Sequence, residues 1–171
     1  MFIKATPYKY RILYILLLPM LLMLLLSACG PQEVELLFNT IEQADYSPKY
    51  EDKEPSLVIV ASVDEANRLN GWISPEALEQ LREIDYKRSF AAVAFLGWQS
   101  TGHEGIRIER VVRQGDTVFL YASVGRPKGT TEETSPYHLI QIQKTGRWGT
   151  NVDFALVVDG TTVASQSHRI P

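Results

Sequence analysis

The sequence predicts an α+β domain dominated by β-structure, in which two short helices precede a mostly antiparallel sheet of about six strands, arranged as a small sandwich or half-barrel. Two helix-start signals follow one another between residues 62 and 75. After residue 85, apolar residues occur in short runs or alternate with polar ones, which is the periodicity of strands. Asp159-Gly160 separates two such runs and indicates a hairpin, because glycine tolerates the positive φ of a type I′ turn.

The predicted domain begins with one strand and the two helices. Residues 57–60 form a β-branched run, which is typical of a buried strand. Ser62 and Glu65 have the spacing of a capping box and predict a short helix that ends near residues 70–71. Ser74 precedes a proline, the pattern of an N-cap followed by the first helical position, and predicts the second helix. The helix residues expected to face the core are Ala66, Leu69, Ala77, Leu78 and Leu81.

The remaining elements are predicted as strands. Residues 90–96 are almost wholly apolar, so both faces of that strand should be covered. Residues 106–111 and 118–122 alternate in polarity on either side of a turn at Gln114-Gly115-Asp116, which predicts a half-buried pair. The last three predicted strands span residues 137–143, 154–158 and 161–165.

The first 28 residues differ in composition from the rest. Their only charges are three basic residues before position 12, and an apolar, leucine-rich run follows at residues 12–26. This run is shorter than the roughly 20 residues of a spanning helix, so a secretory signal is favoured over a permanent anchor. Ser27-Ala28 then precedes Cys29, the only cysteine of the chain. The segment resembles the lipobox of bacterial lipoproteins; the alternative is an uncleaved signal anchor with an incidental cysteine.

The lipobox resemblance implies a division of the chain into three parts. Residues 1–28 are the signal peptide, and Cys29 is the lipidation site, whose diacylglycerol and palmitate-type acyl chains hold the protein on the extracytoplasmic side of the cell membrane or outer membrane. Residues 29–55 are expected to form an acidic tether, since residues 30–55 carry seven acidic side chains against two lysines. The alternative is that the apolar cluster at residues 34–41 docks on the domain or on a partner. Residues 56–171 form the domain.

Composition excludes several classes of protein and site. A formal net charge of −3 leaves no global basic footprint for nucleic acid. One cysteine forms no internal disulfide and no Cys-rich zinc site, and three scattered histidines offer little to a metal, so no cofactor and no metal are expected. The sequence contains no nucleophile elbow, HExxH, P-loop or dinucleotide-binding glycine motif. No catalytic residue is therefore assigned, and the protein is not expected to be an enzyme.

Two loops and one turn supply the candidate binding residues. Residues 97–105 contain three glycines and a tryptophan, and residues 125–136 are long and polar, as binding loops often are. Residues 145–149 contain an arginine and a tryptophan, types enriched at binding hot spots, although such a turn also covers the end of a small sheet. His138 is expected to be structural. The candidate partner-binding residues are Trp98, Ser100, Thr101, Gly102, His103, Arg126, Lys128, Arg147 and Trp148.

A family resemblance rests on the order of segments between residues 57 and 142. Ile84-Asp85-Tyr86-Lys87-Arg88 leads into the apolar strand that ends in Leu96-Gly97, and the turn Ser100-Thr101-Gly102 follows. The strand from Gly105-Ile106-Arg107-Ile108 and, after the long loop, Ser135-Pro136-Tyr137-His138 complete the order. This order resembles the C-terminal domain of the protease complex subunit PrcB family. In the turn, His103-Glu104 stands where the family has Gly-Tyr.

The resemblance implies a non-catalytic, exported domain that binds or stabilises a protease or another surface protein. Its expected partners are the membrane, through the lipid on Cys29, and a protein, with no nucleic acid. Three alternatives remain open at this point: an extracytoplasmic hydrolase whose histidine contacts a carboxylate and a hydroxyl, a structural envelope lipoprotein, and, from a looser likeness of architecture, a chagasin-like protease inhibitor.

Overall fold

The computed structural model describes residues 33–100, 105–125 and 133–171, which contain nine strands and two helices. Residues 1–28 and Cys29, on which the signal-peptide and lipidation predictions fall, lie outside the described residues. The strands are β1 (Glu33–Glu35), β2 (Phe38–Ala44), β3 (Ser56–Val60), β4 (Ser89–Phe95), β5 (Ile106–Gln114), β6 (Thr117–Val124), β7 (Tyr137–Gln143), β8 (Val152–Val158) and β9 (Thr161–His168). The helices are α1 (Val63–Arg68) and α2 (Pro75–Glu83).

The strands form two sheets, one with five strands and one with four. The five-stranded sheet has the order β1-β5-β6-β8-β9, and only its β6–β8 pair is parallel. The four-stranded sheet has the order β2-β7-β4-β3 and is antiparallel throughout. The predicted α+β, β-dominated fold is confirmed, and the six strands expected after the helices are present. They are shared between two facing sheets, which is the sandwich form of the prediction.

Two hydrophobic clusters hold three layers together. One cluster fills the space between the sheets, where Phe90 contacts Phe154 with ring centroids 5.7 Å apart. The other lies between the four-stranded sheet and the helices, where Phe95 meets Trp72 at 5.8 Å. Since β4 lies in the middle layer, all of its residues are buried, as its apolar sequence predicted.

Both predicted helix starts are confirmed by their capping hydrogen bonds. Ser62 Oγ accepts from the backbone amide of Glu65 at 3.3 Å, and Glu65 Oε2 accepts from the amide of Ala61 at 2.6 Å. Ser74 Oγ accepts from the amide of Ala77 at 3.0 Å. These contacts satisfy amides that have no partner within the first helical turn.

The predicted tether is wrong from Glu33 onward, because this part of the chain belongs to the folded unit. β1 pairs with β5 and β2 pairs with β7, both antiparallel. Between them Leu36 is only 1% exposed and packs in the cluster between the sheets. The folded unit therefore begins at Glu33 rather than at residue 56. The acidic side chains are tolerated for two reasons. Glu33 and Glu35 are exposed on the edge strand β1. Glu42 of β2 is half-buried and accepts hydrogen bonds from Tyr137 Oη and from the amide of Ser74.

Side chains from one sheet close the open edge of the other. β1 covers only the last residues of β5, so the rest of that edge faces the four-stranded sheet. There Gln43 Nε2 donates to the carbonyl of Ile106 at 3.0 Å, and the amide of Ile108 donates to His138 Nδ1 at 2.8 Å. These two contacts satisfy backbone groups that an unpaired edge would leave free. Within the part of the chain that the structure describes, neither helix is long and apolar enough to cross a membrane.

Candidate binding site

The sandwich has two ends with different structures. At the first, which we call the loop end, β2, β4 and β6 finish, and the connections that span residues 45–55, 97–105 and 125–136 begin. At the second, which we call the Gly115 end, the turn between β5 and β6 lies beside the start of β1, since Glu33 pairs with Gln114. The seven residues of β4 separate the two ends by about 20 Å.

A cleft of about 410 Å³ opens at the loop end. We call it the loop-end cleft. Three segments that are distant in sequence contribute its walls, which places parts of both predicted binding loops beside the segment that precedes β3. The lining residues are Tyr46, Ser47, Pro48, Tyr50, Glu51, Lys53, Trp98, Glu133 and Ser135.

Main-chain hydrogen bonds join the three segments of the loop-end cleft. The amide of Trp98 donates to the carbonyl of Asp52 at 2.7 Å. Gln99 and Thr134 exchange two hydrogen bonds of 2.8 and 3.0 Å, and the amide of Ser47 donates to the carbonyl of Ser135 at 2.9 Å. Because backbone atoms make these contacts, the walls of the cleft are held in place in the absence of a partner.

Gly97 fixes the point at which two of the segments cross. Its φ is +87°, a conformation that residues with a side chain rarely adopt. A Cβ at this position would lie 2.4 Å from the carbonyl oxygen of Lys53, which is shorter than any contact real side chains make. Only glycine lets the chain pass this close, and the orientation of the neighbouring Trp98 depends on that crossing.

The floor of the cleft is continuous with the aromatic cluster under the helices. Tyr50 stacks on Phe95, with ring centroids 4.5 Å apart, and its hydroxyl donates to the carbonyl of Glu54 at 3.0 Å. Burial raises the pKa of Tyr50 above its usual value, so the hydroxyl stays protonated and keeps its donor role. Ser135 Oγ donates to the carbonyl of Tyr50 at 2.9 Å. The cleft therefore rests on a packed and hydrogen-bonded base.

The mouth of the cleft presents aromatic rings and charges of both signs. Tyr46 is 58% exposed, and Trp98 is partly exposed, with Lys53 Nζ lying 5.6 Å from its ring centroid. Glu51 and Glu133 are exposed beside them. Aromatic rings surrounded by a charged rim are typical of protein-binding hot spots.

The structure does not bring all of the predicted binding residues together. Trp98 and Ser100 lie at the loop end, whereas Arg147 and Trp148 lie at the Gly115 end. Trp148 packs edge-on against Phe90 at 5.3 Å and so covers the end of the core between the sheets, which was the alternative for that turn. Five predicted residues fall outside the described residues: Thr101, Gly102, His103, Arg126 and Lys128.

Of the nine lining residues of the cleft, only Trp98 was among the predicted binding residues. Glu133 and Ser135 fell within the predicted loop at residues 125–136 without being singled out as binding residues. The other six were assigned to the tether: Tyr46, Ser47, Pro48, Tyr50, Glu51 and Lys53. Tyr46 and Tyr50 lie within five residues of chain in an acidic stretch that contains proline. Disordered segments contain few aromatic residues, so this pair of tyrosines was the signal that could have indicated folded structure.

His138 is a structural residue, as expected. It is 1% exposed; its Nδ1 accepts from the amide of Ile108, and its Nε2 lies 2.9 Å from Thr40 Oγ1. Since Nδ1 is an acceptor, the neutral ring carries its proton on Nε2 and donates to the Thr40 hydroxyl. A group that donates to a hydroxyl does not act as the base that activates it, so this pair lacks the arrangement of a nucleophile and its base.

The other described histidine and the acidic groups form no metal centre. His168 Nε2 lies 3.3 Å from Glu65 Oε2, which links the end of β9 to the first turn of α1. Within residues 33–100, 105–125 and 133–171, no group of three or more histidine, cysteine, aspartate or glutamate side chains is placed to bind a metal ion.

No protein-family model, no curated protein and no solved structure matches the chain.

Proposed function

We propose that this chain is a lipid-anchored, extracytoplasmic binding or accessory protein that interacts with or stabilises a protease or another surface protein. The observation that carries the proposal is the loop-end cleft, a preformed concave surface with exposed aromatic rings at one end of a rigid sandwich. The lipobox-like leader, which ends at Cys29, supports the location, and the PrcB-like order of segments supports the class of partner.

The construction of the cleft favours a protein partner. Its walls are joined by backbone hydrogen bonds, so a partner loses little free energy to the ordering of loops when it binds. Tyr46 and Trp98 supply rigid aromatic surface, and Glu51, Lys53 and Glu133 form a polar rim. The turn that carries the family resemblance follows Trp98 closely in the sequence.

The first prediction concerns the lipid anchor. In the membrane fraction of the native host, the mature chain is expected to begin at Cys29 and to carry diacylglycerol on its sulfur. Mass spectrometry of the N-terminal peptide measures this modification, and incorporation of labelled palmitate confirms it. The Cys29→Ser variant is expected to keep its leader and to incorporate no palmitate. An unmodified thiol at Cys29 in the mature protein would contradict the anchor.

The second prediction concerns the partner. A photoreactive side chain at Ser100, which is exposed and lies two residues after Trp98, is expected to form one dominant cross-link to a protein in native membranes. Trp98→Ala and Tyr46→Ala are each expected to lower the yield about tenfold, the effect of losing one hot-spot side chain. Thr150→Ala is the matched control, because this exposed side chain precedes β8 at the opposite end and is expected to leave the yield unchanged.

A second measurement keeps this test interpretable. All three variants are expected to unfold within a few degrees of the parent protein, since the changed side chains are exposed or partly exposed. Equal cross-linking by the parent, Trp98→Ala and Tyr46→Ala proteins at unchanged stability would remove the loop-end cleft from the proposed function.

A further inference from the structure

The Gly115 end carries exposed apolar side chains where the chain enters the fold. Val34 is 41% exposed and Leu37 is 67% exposed, and they flank the crossing from β1 to β2. The carbonyl of Leu37 accepts from the amide of Gln143 at 2.9 Å, which places Leu37 beside the end of β7. An apolar side chain two-thirds exposed beside a strand end makes no contribution to the core and is available to an external surface.

A basic cleft of about 730 Å³ lies next to these residues. Its lining includes Lys87, Arg88 and Lys144 together with Gln143, and none of the described residues that line it is an aspartate or a glutamate. Lys144 Nζ is held in place by donation to the carbonyls of Tyr86 and Pro171, both at 2.7 Å.

Three acidic groups at this end lie close to basic partners. Asp85 lies 3.6 Å from Arg88, and Asp116 lies 3.9 Å from Arg113. Glu33 pairs with Arg110 at 3.4 Å.

Two basic side chains at this end are available to an external partner. Lys87 and Arg147 make no ion pair with another described residue.

The length of the preceding chain limits where this end can lie. Cys29 is four residues before Glu33, and four extended residues span at most about 14 Å. Glu33 pairs with Gln114 at the Gly115 end, so a lipid on Cys29 keeps that end, and not the loop end, within reach of the bilayer. This step rests on the proposed function, because it requires Cys29 to be the anchored residue.

We propose that the Gly115 end is a docking face for the anionic bilayer in which the protein is anchored. Leu37 and Val34 enter the headgroup region, and Lys87, Arg88, Lys144 and Arg147 contact lipid phosphates. Apolar side chains beside a basic cluster are the two elements of interfacial membrane binding, and each basic residue near an anionic surface raises the binding constant about fivefold.

Docking in this orientation has a direct consequence for the partner site. The loop-end cleft lies about one strand length, roughly 20 Å, farther from the bilayer than the docking face. The cleft then points away from the membrane, toward a partner that approaches from the aqueous side.

The experiment measures the distance of each end from the bilayer. The full chain, extracted from its host membrane, is reconstituted into vesicles of phosphatidylcholine with or without phosphatidylglycerol, with a fluorophore on Gln143→Cys or Glu51→Cys. Both positions are exposed, the first at the docking face and the second at the loop end. Headgroup nitroxide lipids are expected to quench the label at position 143 at least threefold more than the label at 51, and only when phosphatidylglycerol is present.

Two variants separate docking from simple tethering. Lys87→Glu with Arg147→Glu, and separately Leu37→Ser, are expected to reduce the difference between the two labels to less than half. Equal quenching at both positions, or quenching at 143 that is indifferent to phosphatidylglycerol and to these substitutions, would overturn the docking face.

The same sample distinguishes this proposal from the proposed function. Its mass shows whether Cys29 is acylated or the leader is intact. An intact leader would reject the lipid anchor. The label is then introduced into a Cys29→Ser variant, in which the uncleaved leader anchors the protein in the bilayer. The two labels are then compared in the same way, so the docking face is tested under either result.

Discussion

A chain that begins at Ser56, where the sequence predicted the domain to start, is expected to be unfolded, whereas a chain that begins at Glu33 is expected to fold. The shorter chain lacks β1 and β2 and leaves the edge of β7 without its six paired residues. It also lacks Leu36, whose loss from the core between the sheets corresponds to about 2–5 kcal/mol.

The polar contacts of β2 enlarge this effect. Tyr137 Oη loses its acceptor Glu42, the carbonyl of Ile106 loses Gln43, and His138 loses Thr40. Each buried polar group left without a partner costs about 1–3 kcal/mol. A domain of this size is stable by about 5–15 kcal/mol, so the combined loss exceeds what the remaining strands can supply.

Circular dichroism and thermal unfolding of the two chains measure the difference. The longer chain is expected to give one cooperative transition, and Leu36→Ala within it is expected to lower the free energy of unfolding by about 2–5 kcal/mol. A cooperative transition of the shorter chain at the same temperature would show that the first two strands are dispensable.

The second large effect is a loss of stability in mild acid that depends on His138. Burial, with a smaller contribution from the positive charge of Arg107, lowers the pKa of His138 to about 4 from its usual value near 6.5. Protonation places a hydrogen on Nδ1, which then faces the amide hydrogen of Ile108 in place of accepting it.

The sign of the effect follows from proton binding in the two states. Between pH 6.5 and 4 the unfolded chain binds a proton at this ring that the folded chain does not, so acid favours unfolding. The contribution of His138 is fully present above about pH 6.5 and is lost as the pH falls to 4. A shift of this size corresponds to about 3 kcal/mol in the free energy of unfolding.

Two substitutions isolate this contribution from that of other titrating groups. His138→Asn keeps an acceptor for the Ile108 amide and does not titrate, so the loss of stability that His138 causes between pH 6.5 and 4 is expected to be absent from this variant and present in the parent protein. His138→Leu also removes the acceptor and is expected to cost a further 1–3 kcal/mol or so at pH 7. Urea unfolding at half-unit steps of pH measures both effects. Parallel curves for the parent and His138→Asn proteins would contradict the assignment.

Local signals account for the elements that sequence predicted well. The side chains of Ser62 and Ser74 cap their helices by contacts within four residues, so the spacing of a few residues was sufficient. Asp159 and Gly160 adopt the positive φ values, 49° and 78°, that the dipeptide indicates. β4 was recognisable because a central strand covered on both faces is apolar at every position.

Long-range pairing accounts for what sequence did not predict. β2 is an edge strand with a bulge between Thr40 and Glu42, so its exposed polar residues have neither strand nor helix periodicity. The loop-end cleft unites segments around Tyr46, Trp98 and Ser135, and no local pattern encodes their meeting. Tryptophan is a residue type enriched at binding hot spots, but the tertiary fold packs Trp148 against Phe90.

The pairing of the first strands with late ones has a consequence for the order in which the chain can fold. When the chain is delivered from its N-terminus, β1 and β2 emerge before the other strands. Their partners are β5 and β7, which emerge much later. Thr40 of β2, for example, lies 98 residues from its partner His138. Closing such long loops is slow. The four-stranded sheet is complete only after β7 has emerged, and the five-stranded sheet only after β9. The chain therefore stays open for most of its delivery, a state that a translocation channel can pass and that a chaperone can hold.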